Sequence, residues 1–81
     1  MLLFPNPASE QAGLRLLLNR GGDLDLEVYD AIGRRVHAES RPGLAAAEYH
    51  LALPVEHWQP GIYMVKARIG SLTMVRELIL R

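Results

Sequence analysis

Three histidines, His37, His50 and His57, are the residues of this chain best suited to bind a metal ion or move a proton. A zinc site needs three or four donors that converge on one point, and acid–base catalysis needs partners within hydrogen-bond reach. The histidines lie on separate segments without a ligand-like spacing, and no serine or threonine has a His–acid partner suggested by the sequence. We therefore expect surface histidines, no catalytic residue, no metal site and no cofactor.

The acidic residues Asp23, Asp25 and Glu27 are the other group that could bind an ion. Their alternation places them on one exposed face of a strand. Ca²⁺ requires a loop whose oxygens enclose the ion, and carboxylates spread along a strand do not provide one. The pattern favours a solvated strand face.

The composition limits the classes of partner and the number of domains. The 81 residues include nine basic and nine acidic side chains, so the net charge is zero and nucleic acid is not an expected partner. A chain of this length supports a single core, so we expect one domain over residues 1–81. Cysteine is absent, which excludes disulfides and leaves the compartment open. Met1–Phe4 is too short for a signal peptide or a membrane span, so an amino-terminal export signal would belong to a longer parent chain.

The segment Leu24–Val36 predicts a β-hairpin. Leu24, Leu26 and Val28 alternate with polar residues, as in a strand with one buried face. Asp30 can accept a hydrogen bond from the backbone two residues later, and Gly33 can adopt the positive φ that closes the turn.

Six further apolar segments resemble strands, and together they predict a seven-stranded, antiparallel, immunoglobulin-like β-sandwich, an all-β fold. We expect inward-facing sets such as Tyr63, Val65 and Ala67, with Ile62 and Met64 facing outward. The predicted strands are Leu2–Phe4, Leu14–Leu18, Leu24–Tyr29, Val36–Ser40, Glu48–Leu53, Ile62–Ile69 and Leu72–Leu80.

Glycine and proline predict the connections between these strands. Asn19–Gly22 is interpreted as a hairpin loop with positive-φ glycines, and Arg41–Gly43 as a turn. Gly70-Ser71 predicts a two-residue hairpin. The last strand does not keep one apolar parity, so a β-bulge is expected near Val75-Arg76.

Four motifs in order give the chain a family resemblance. They are Phe4-Pro5-Asn6-Pro7-Ala8, then Val28-Tyr29-Asp30 with Gly33-Arg34-Arg35-Val36, then Pro60-Gly61-Ile62-Tyr63 with Val65, and finally an apolar strand with basic flanks. Together they resemble the type A C-terminal sorting domain of the type IX secretion system, over essentially all 81 residues.

The resemblance implies a non-catalytic address carried by an N-terminal passenger. Domains of this family are recognised by an outer-membrane translocon, and in many members a sortase-like peptidase then removes the domain for cell-surface attachment or release. It implies export through the periplasm to the surface or exterior of a Gram-negative bacterium.

The resemblance implies twelve recognition residues, in the motifs and in the terminal strand: Pro5, Asn6, Pro7, Asp30, Gly33, Gly61, Tyr63, Arg76, Leu78, Ile79, Leu80 and Arg81. The chain departs from the family at Glu77, where lysine is common, so Arg76 would have to supply the basic group. It also departs at Trp58, which replaces a smaller apolar residue.

The sequence leaves other interpretations open. A terminal edge strand could offer unpaired backbone groups to a partner sheet, and an open edge could support a weak homodimer. The runner-up function is a carbohydrate-binding or adhesive module in which Trp58 forms an aromatic platform with Tyr49 or Tyr29. A structural spacer is a third. Ile62 and Met64 could mark an interaction patch or a second covered face.

Overall fold

Seven strands form two antiparallel sheets in the computed structural model, which describes residues 1–81. The three-stranded sheet has the order β1-β2-β5 and the four-stranded sheet the order β4-β3-β6-β7. The strands are β1 (Leu2–Phe4), β2 (Ala12–Leu17), β3 (Gly22–Tyr29), β4 (Arg35–Leu44), β5 (Glu48–Leu53), β6 (Gly61–Ile69) and β7 (Leu72–Leu80). A short 3₁₀ helix, Val55–His57, follows β5. The predicted seven-stranded antiparallel sandwich is confirmed.

The core lies between the sheets and is entirely apolar or aromatic. Alternating residues of each strand point inward, as the period of two predicts. No charged or other polar residue is buried, so nothing in the core requires an ionic partner. The most deeply buried side chains are Leu14, Leu16, Leu24, Leu26, Val28, Val55, Val65 and Leu78. None of the helical structure is long and apolar enough to cross a membrane.

The two sheets differ in width, and this leaves β4 without an opposite strand. β1 and β7 are the first strands of their sheets on the same side of the sandwich, and they contact each other. Since strands are evenly spaced within a sheet, the third strand β5 lies over β3, and the fourth strand β4 extends past β5. The inward residues of β4 are the polar side chains His37, Glu39 and Arg41, which pair with Val28, Leu26 and Leu24 of β3.

The predicted hairpin loop Asn19–Gly22 was wrong. β2 and β3 belong to different sheets, so this segment crosses the sandwich, and neither Gly21 nor Gly22 has a positive φ. Alternation in β2 and β3 was visible in the sequence, but it does not reveal which strands pair.

The predicted turn at Arg41–Gly43 was also wrong, because these residues lie inside β4. Pro42 is tolerated there since β4 is an edge strand, where a missing N–H breaks no ladder. The strand is irregular here without turning back. Gly43 has a φ of 67°, and the pairing of β3 with β4 contains register shifts.

No bulge occurs at Val75-Arg76, contrary to expectation. β6 and β7 pair without a shift from Gly61↔Leu80 to Ile69↔Leu72. Arg76 shares the inward parity of Leu78 and Leu80 but stays exposed. The hairpin at Gly70-Ser71 is confirmed, with Gly70 at φ 57°.

Candidate functional site

The four sequence motifs meet at one end of the four-stranded sheet. At this end β3 and β7 finish, while β4 and β6 begin, as the pairs Tyr29↔Met64 and Gly61↔Leu80 show. Ala8 adds a parallel bridge to Leu80. We call this the motif end. It carries Pro5–Ala8, Asp30–Gly33, Gly61–Tyr63 and Leu78–Arg81.

Asn6 connects the first motif to the last through its side chain. Its Nδ2 donates to the carbonyl of Glu77 (2.8 Å), and its Oδ1 accepts from the N–H of Ile79 (3.0 Å). Ala8 continues the contact, with its N–H donating to Ile79 (2.8 Å) and its carbonyl accepting from Arg81 (2.7 Å). The peptide bonds before Pro5 and Pro7 are both cis.

This contact corrects the expectation of a free terminal edge. The backbone groups of Glu77, Ile79 and Arg81 that face away from β6 are already hydrogen-bonded to Asn6 and Ala8. The sequence could not show this, because the amide of Asn6 imitates a neighbouring strand. Recognition of Glu77–Arg81 by simple strand addition is therefore blocked in this conformation.

Asp30 organises the central turn as the sequence predicted. Its Oδ1 accepts from the N–H of Ile32 (3.1 Å) and of Arg34 (2.9 Å), and its Oδ2 accepts from Nε of Arg34 (2.8 Å). Gly33 has φ 87°, the positive value that the turn needs. Desolvation alone would raise the pKa of the Asp30 carboxyl, but these hydrogen bonds and the Arg34 charge outweigh it and lower the pKa.

Tyr63 and Trp58 form the aromatic part of the motif end. Tyr63 is buried, and its hydroxyl donates to the carbonyl of Gln59 at the rim. The Trp58 ring lies 5.2 Å from that of Tyr63 and 6.1 Å from that of His37. Trp58 is half-buried and packs against the core, so it does not form an exposed platform with Tyr29 or Tyr49.

A shallow groove runs beside these aromatic rings. Ile32 and Arg34 of the central turn line it together with Trp58 and Ile62. Ile32 is the most exposed large apolar residue of the chain, at 77%. The groove therefore combines apolar surface with a guanidinium group.

The predicted recognition residues divide into three groups by exposure. Tyr63, Leu78 and Leu80 are buried and support the core. Ile79 and Asp30 are half-buried. The remaining members are exposed and can reach a partner: Pro5, Asn6, Pro7, Gly33, Gly61, Arg76 and Arg81.

Arg76 cannot replace a basic residue at position 77. Neighbouring residues of a strand face opposite sides of the sheet. Glu77 pairs with Met64 on the outer face, whereas Arg76 pairs with Val65, a core residue. The nearest basic residue of β6 on the outer face is Lys66, diagonal to Glu77, and sequence reasoning missed it because the strand register was unknown.

The histidines and acidic residues do not converge. No group of three His, Cys, Asp or Glu side chains is placed to hold a metal ion. Asp25 accepts from Ser40 (2.7 Å) and Arg68 (3.3 Å), and these contacts lower its pKa. The pKa of Glu27 is lowered mainly by the Tyr29 hydroxyl, at 2.9 Å, and by Arg35.

Sequence reasoning also missed the part that Asn6 and Ala8 play in closing an edge. The only indication in the sequence was weak. Asn6 is a polar residue between two prolines, so it cannot belong to a regular strand and its side chain is free to bond elsewhere. Nothing in the spacing pointed to a contact with residues more than 70 positions later.

Comparison with known proteins agrees with the arrangement of motifs. A search of curated proteins found no match. A family model described as "Secretion system C-terminal sorting domain" matches residues 2–81. The chain therefore belongs to the C-terminal sorting domain family of the type IX secretion system, whose members direct an N-terminal passenger to the cell surface or the extracellular space.

Proposed function

We propose that the secretion machinery reads residues 1–81 as one sorting domain, and that it does so at the motif end. The observation that supports this most is the contact of Asn6 with Glu77 and Ile79, which joins the two motifs most distant in the sequence. The domain acts as a ligand of the outer-membrane translocon and not as an enzyme.

The exposed residues of the motif end supply a surface with two chemical features. Prolines 5 and 7 and the side chain of Ile32 are apolar and exposed, while Arg81 has no acidic partner within salt-bridge distance. A partner that binds here needs an apolar contact and a carboxylate or backbone acceptor. Tyr63, Leu78 and Leu80 contribute by holding the strands that present this surface.

A secretion assay with matched variants tests this proposal. The domain is fused behind a fluorescent protein with an ordinary export signal and produced in cells with and without the type IX machinery. Arg81→Glu reverses an exposed charge at the motif end, and Arg20→Glu does the same in the β2–β3 connection at the opposite end. We expect Arg81→Glu to reduce extracellular reporter at least fivefold and Arg20→Glu to leave it unchanged. Equal behaviour of the two variants would contradict recognition at the motif end.

Removal of Glu77–Arg81 is expected to abolish export of the reporter. Because it also deletes the core residues Leu78 and Leu80, the point variants are needed to separate recognition from folding. Circular dichroism of the purified variants provides that control.

We further infer that the passenger crosses the periplasm of a Gram-negative bacterium and that a sortase-like peptidase then separates it from the domain. Family membership supports this inference. Mass spectrometry of the exported reporter tests it: loss of the whole domain is expected, and an intact fusion on the cell surface would contradict cleavage.

A further inference from the structure

The sandwich has four sheet edges, and three of them carry a feature that hinders strand addition over part of their length. Unpaired N–H and C=O groups at an edge are a template for another strand. On β7, Asn6 and Ala8 occupy the edge over residues 77–81. β1 has only three residues and is followed by Pro5. β4 contains Pro42, and its pairing with β3 is irregular near both ends.

The remaining edge, β5, is open. This strand has six residues and contains neither proline nor glycine. The N–H of Leu18 donates to the carbonyl of Ala47 (2.9 Å), which fixes the alternation of the β2–β5 ladder. In an antiparallel ladder the next backbone groups point the other way. Those of Glu48, His50 and Ala52 therefore face away from β2.

A groove runs along this edge, lined by outward-facing residues of the three-stranded sheet and by His37 of β4 in the other sheet. Gly13 of β2 and Ala52 of β5 pair with each other, and because their side chains are absent or small they form the floor of the groove. Phe4 of β1 pairs with Gly13 on the side away from β5. The Phe4 ring is 42% exposed and makes an edge contact with His50. A large apolar side chain opposite Ala52 would cover this floor and reach Phe4.

The carboxylates of Glu10 and Glu56 are the acidic groups of the groove, and its other ionisable side chains are the imidazoles of His37 and His50. Glu10 and Glu56 both line it, and neither forms an ion pair with lysine or arginine. The only ionisable partner of Glu56 is His57, at 3.6 Å. Charge complementarity therefore favours an occupant with basic residues.

The overhang of β4 determines whether that occupant is a folded copy or a single strand. β4 extends past β5 and already provides a layer beneath any strand added there. A second folded copy added through its own β5 would bring its β3 to the place that β4 already occupies, so the two copies would collide. A single extended segment makes no such collision.

We propose that β5 accepts an extended peptide segment as a fourth strand of the three-stranded sheet. The segment places a bulky apolar side chain over Gly13 and Ala52, and lysine or arginine beside it faces Glu10 and Glu56. This binding surface adjoins the motif end, since Pro5 lines the groove as well, but the proposal does not rest on the sorting function.

Titration of the isotopically labelled domain with a synthetic peptide tests the proposal. The probe is a capped seven-residue peptide of alternating threonine and valine with a central phenylalanine flanked by lysines. We expect chemical-shift changes centred on Glu48, His50 and Ala52, and at least tenfold slower hydrogen exchange of the His50 and Ala52 amides. No change at millimolar peptide, or changes centred on β4 or on the four-stranded sheet, would overturn it.

Two matched controls test the backbone contact itself. His50→Pro removes an outward N–H without breaking the β2 ladder, whereas His50→Ala keeps that N–H. We expect at least tenfold weaker binding for the proline variant and near-normal binding for the alanine variant. If the proline variant does not fold, a second probe replaces it, in which the backbone N–H groups that would face β5 are methylated. Equal binding of the methylated and unmethylated probes would overturn the proposal. Edge protection that rises with domain concentration, without peptide, would show a second copy as occupant and would also overturn it.

Discussion

The side chain of Asn6 accepts a hydrogen bond from the backbone N–H of Ile79, a residue 73 positions later in the sequence, at 3.0 Å. The same amide donates to the carbonyl of Glu77. A single side chain thus satisfies both a donor and an acceptor at the edge of β7. The first and last motifs of the chain therefore form one structural unit.

Asn6→Ala is expected to destabilise the domain by about 1 to 3 kcal/mol, because two hydrogen bonds are lost. Urea denaturation measures this loss. Hydrogen exchange shows where the loss occurs. The amide of Ile79, which donates to Asn6, should exchange faster. The amide of Leu78 should change little, because Leu78 pairs with β6.

Two further substitutions control for that result. Asn6→Asp keeps the acceptor for Ile79 but places a carboxylate oxygen against the carbonyl oxygen of Glu77, so a loss of stability at least as large as that of Asn6→Ala is expected. Asn19→Ala changes an exposed asparagine in the β2–β3 connection and should alter stability by less than about 0.5 kcal/mol. Equal effects at positions 6 and 19 would show that the contact with β7 contributes nothing.

Acid should weaken the central turn. The pKa of Asp30 is lower in the folded state than in the unfolded chain, so its contribution to stability is present above the unfolded value, about pH 4. It is lost as the pH falls through the folded value. Asp30→Asn cannot titrate, so between pH 5 and 2 (roughly the range of carboxyl titration) its thermal stability should fall less than that of the wild type. Parallel pH profiles would contradict this prediction.

Gly33→Ala is expected to cost about 1 to 2 kcal/mol through backbone strain alone. Gly33 has φ 87°, and no atom lies within 4 Å of the position that a Cβ would occupy. Since space is available, Gly33→Asn should cost less, because asparagine tolerates this conformation better. Thermal denaturation of both variants provides the comparison, and a larger loss for asparagine would rule out conformational strain as the cause.

Leu78→Ala should remove about 2 to 5 kcal/mol of stability, because it opens a cavity in the core. Leu78 is fully buried, whereas Leu72 on the same strand is 56% exposed. Leu72→Ala should change stability by less than about 0.5 kcal/mol. Calorimetry of the two variants separates burial from strand position, and similar melting temperatures would contradict the assignment of Leu78 to the core.

Local features of the fold were predictable from the sequence. The alternation of Leu24, Leu26 and Val28 gave the correct buried face, and the chemistry of Asp30 and Gly33 gave the correct turn. Each of these depends on residues within a few positions of one another, where side-chain period and φ preference are decisive.

Features that depend on strand pairing were not predictable in this way. The crossing at Asn19–Gly22 looks like a hairpin loop until the sheets are known. The faces of Arg76 and Glu77 follow only from the register of β6 and β7. To predict the Asn6 contact, one would need both the register of β7 and the position of the irregular segment that carries Asn6. For the site, the motifs were visible individually, but their meeting at one end of the sheet was not.

The position of β7 in the sequence has a consequence for protein synthesis. Asn6 and Ala8 leave the ribosome early and their hydrogen-bonding partners are made last, after the other six strands. A nascent chain that stops before β7 cannot complete the motif end, whatever the state of the protein attached before it. A chain whose translation stops before β7 therefore lacks the surface that we propose the secretion machinery binds, and we expect it not to be exported.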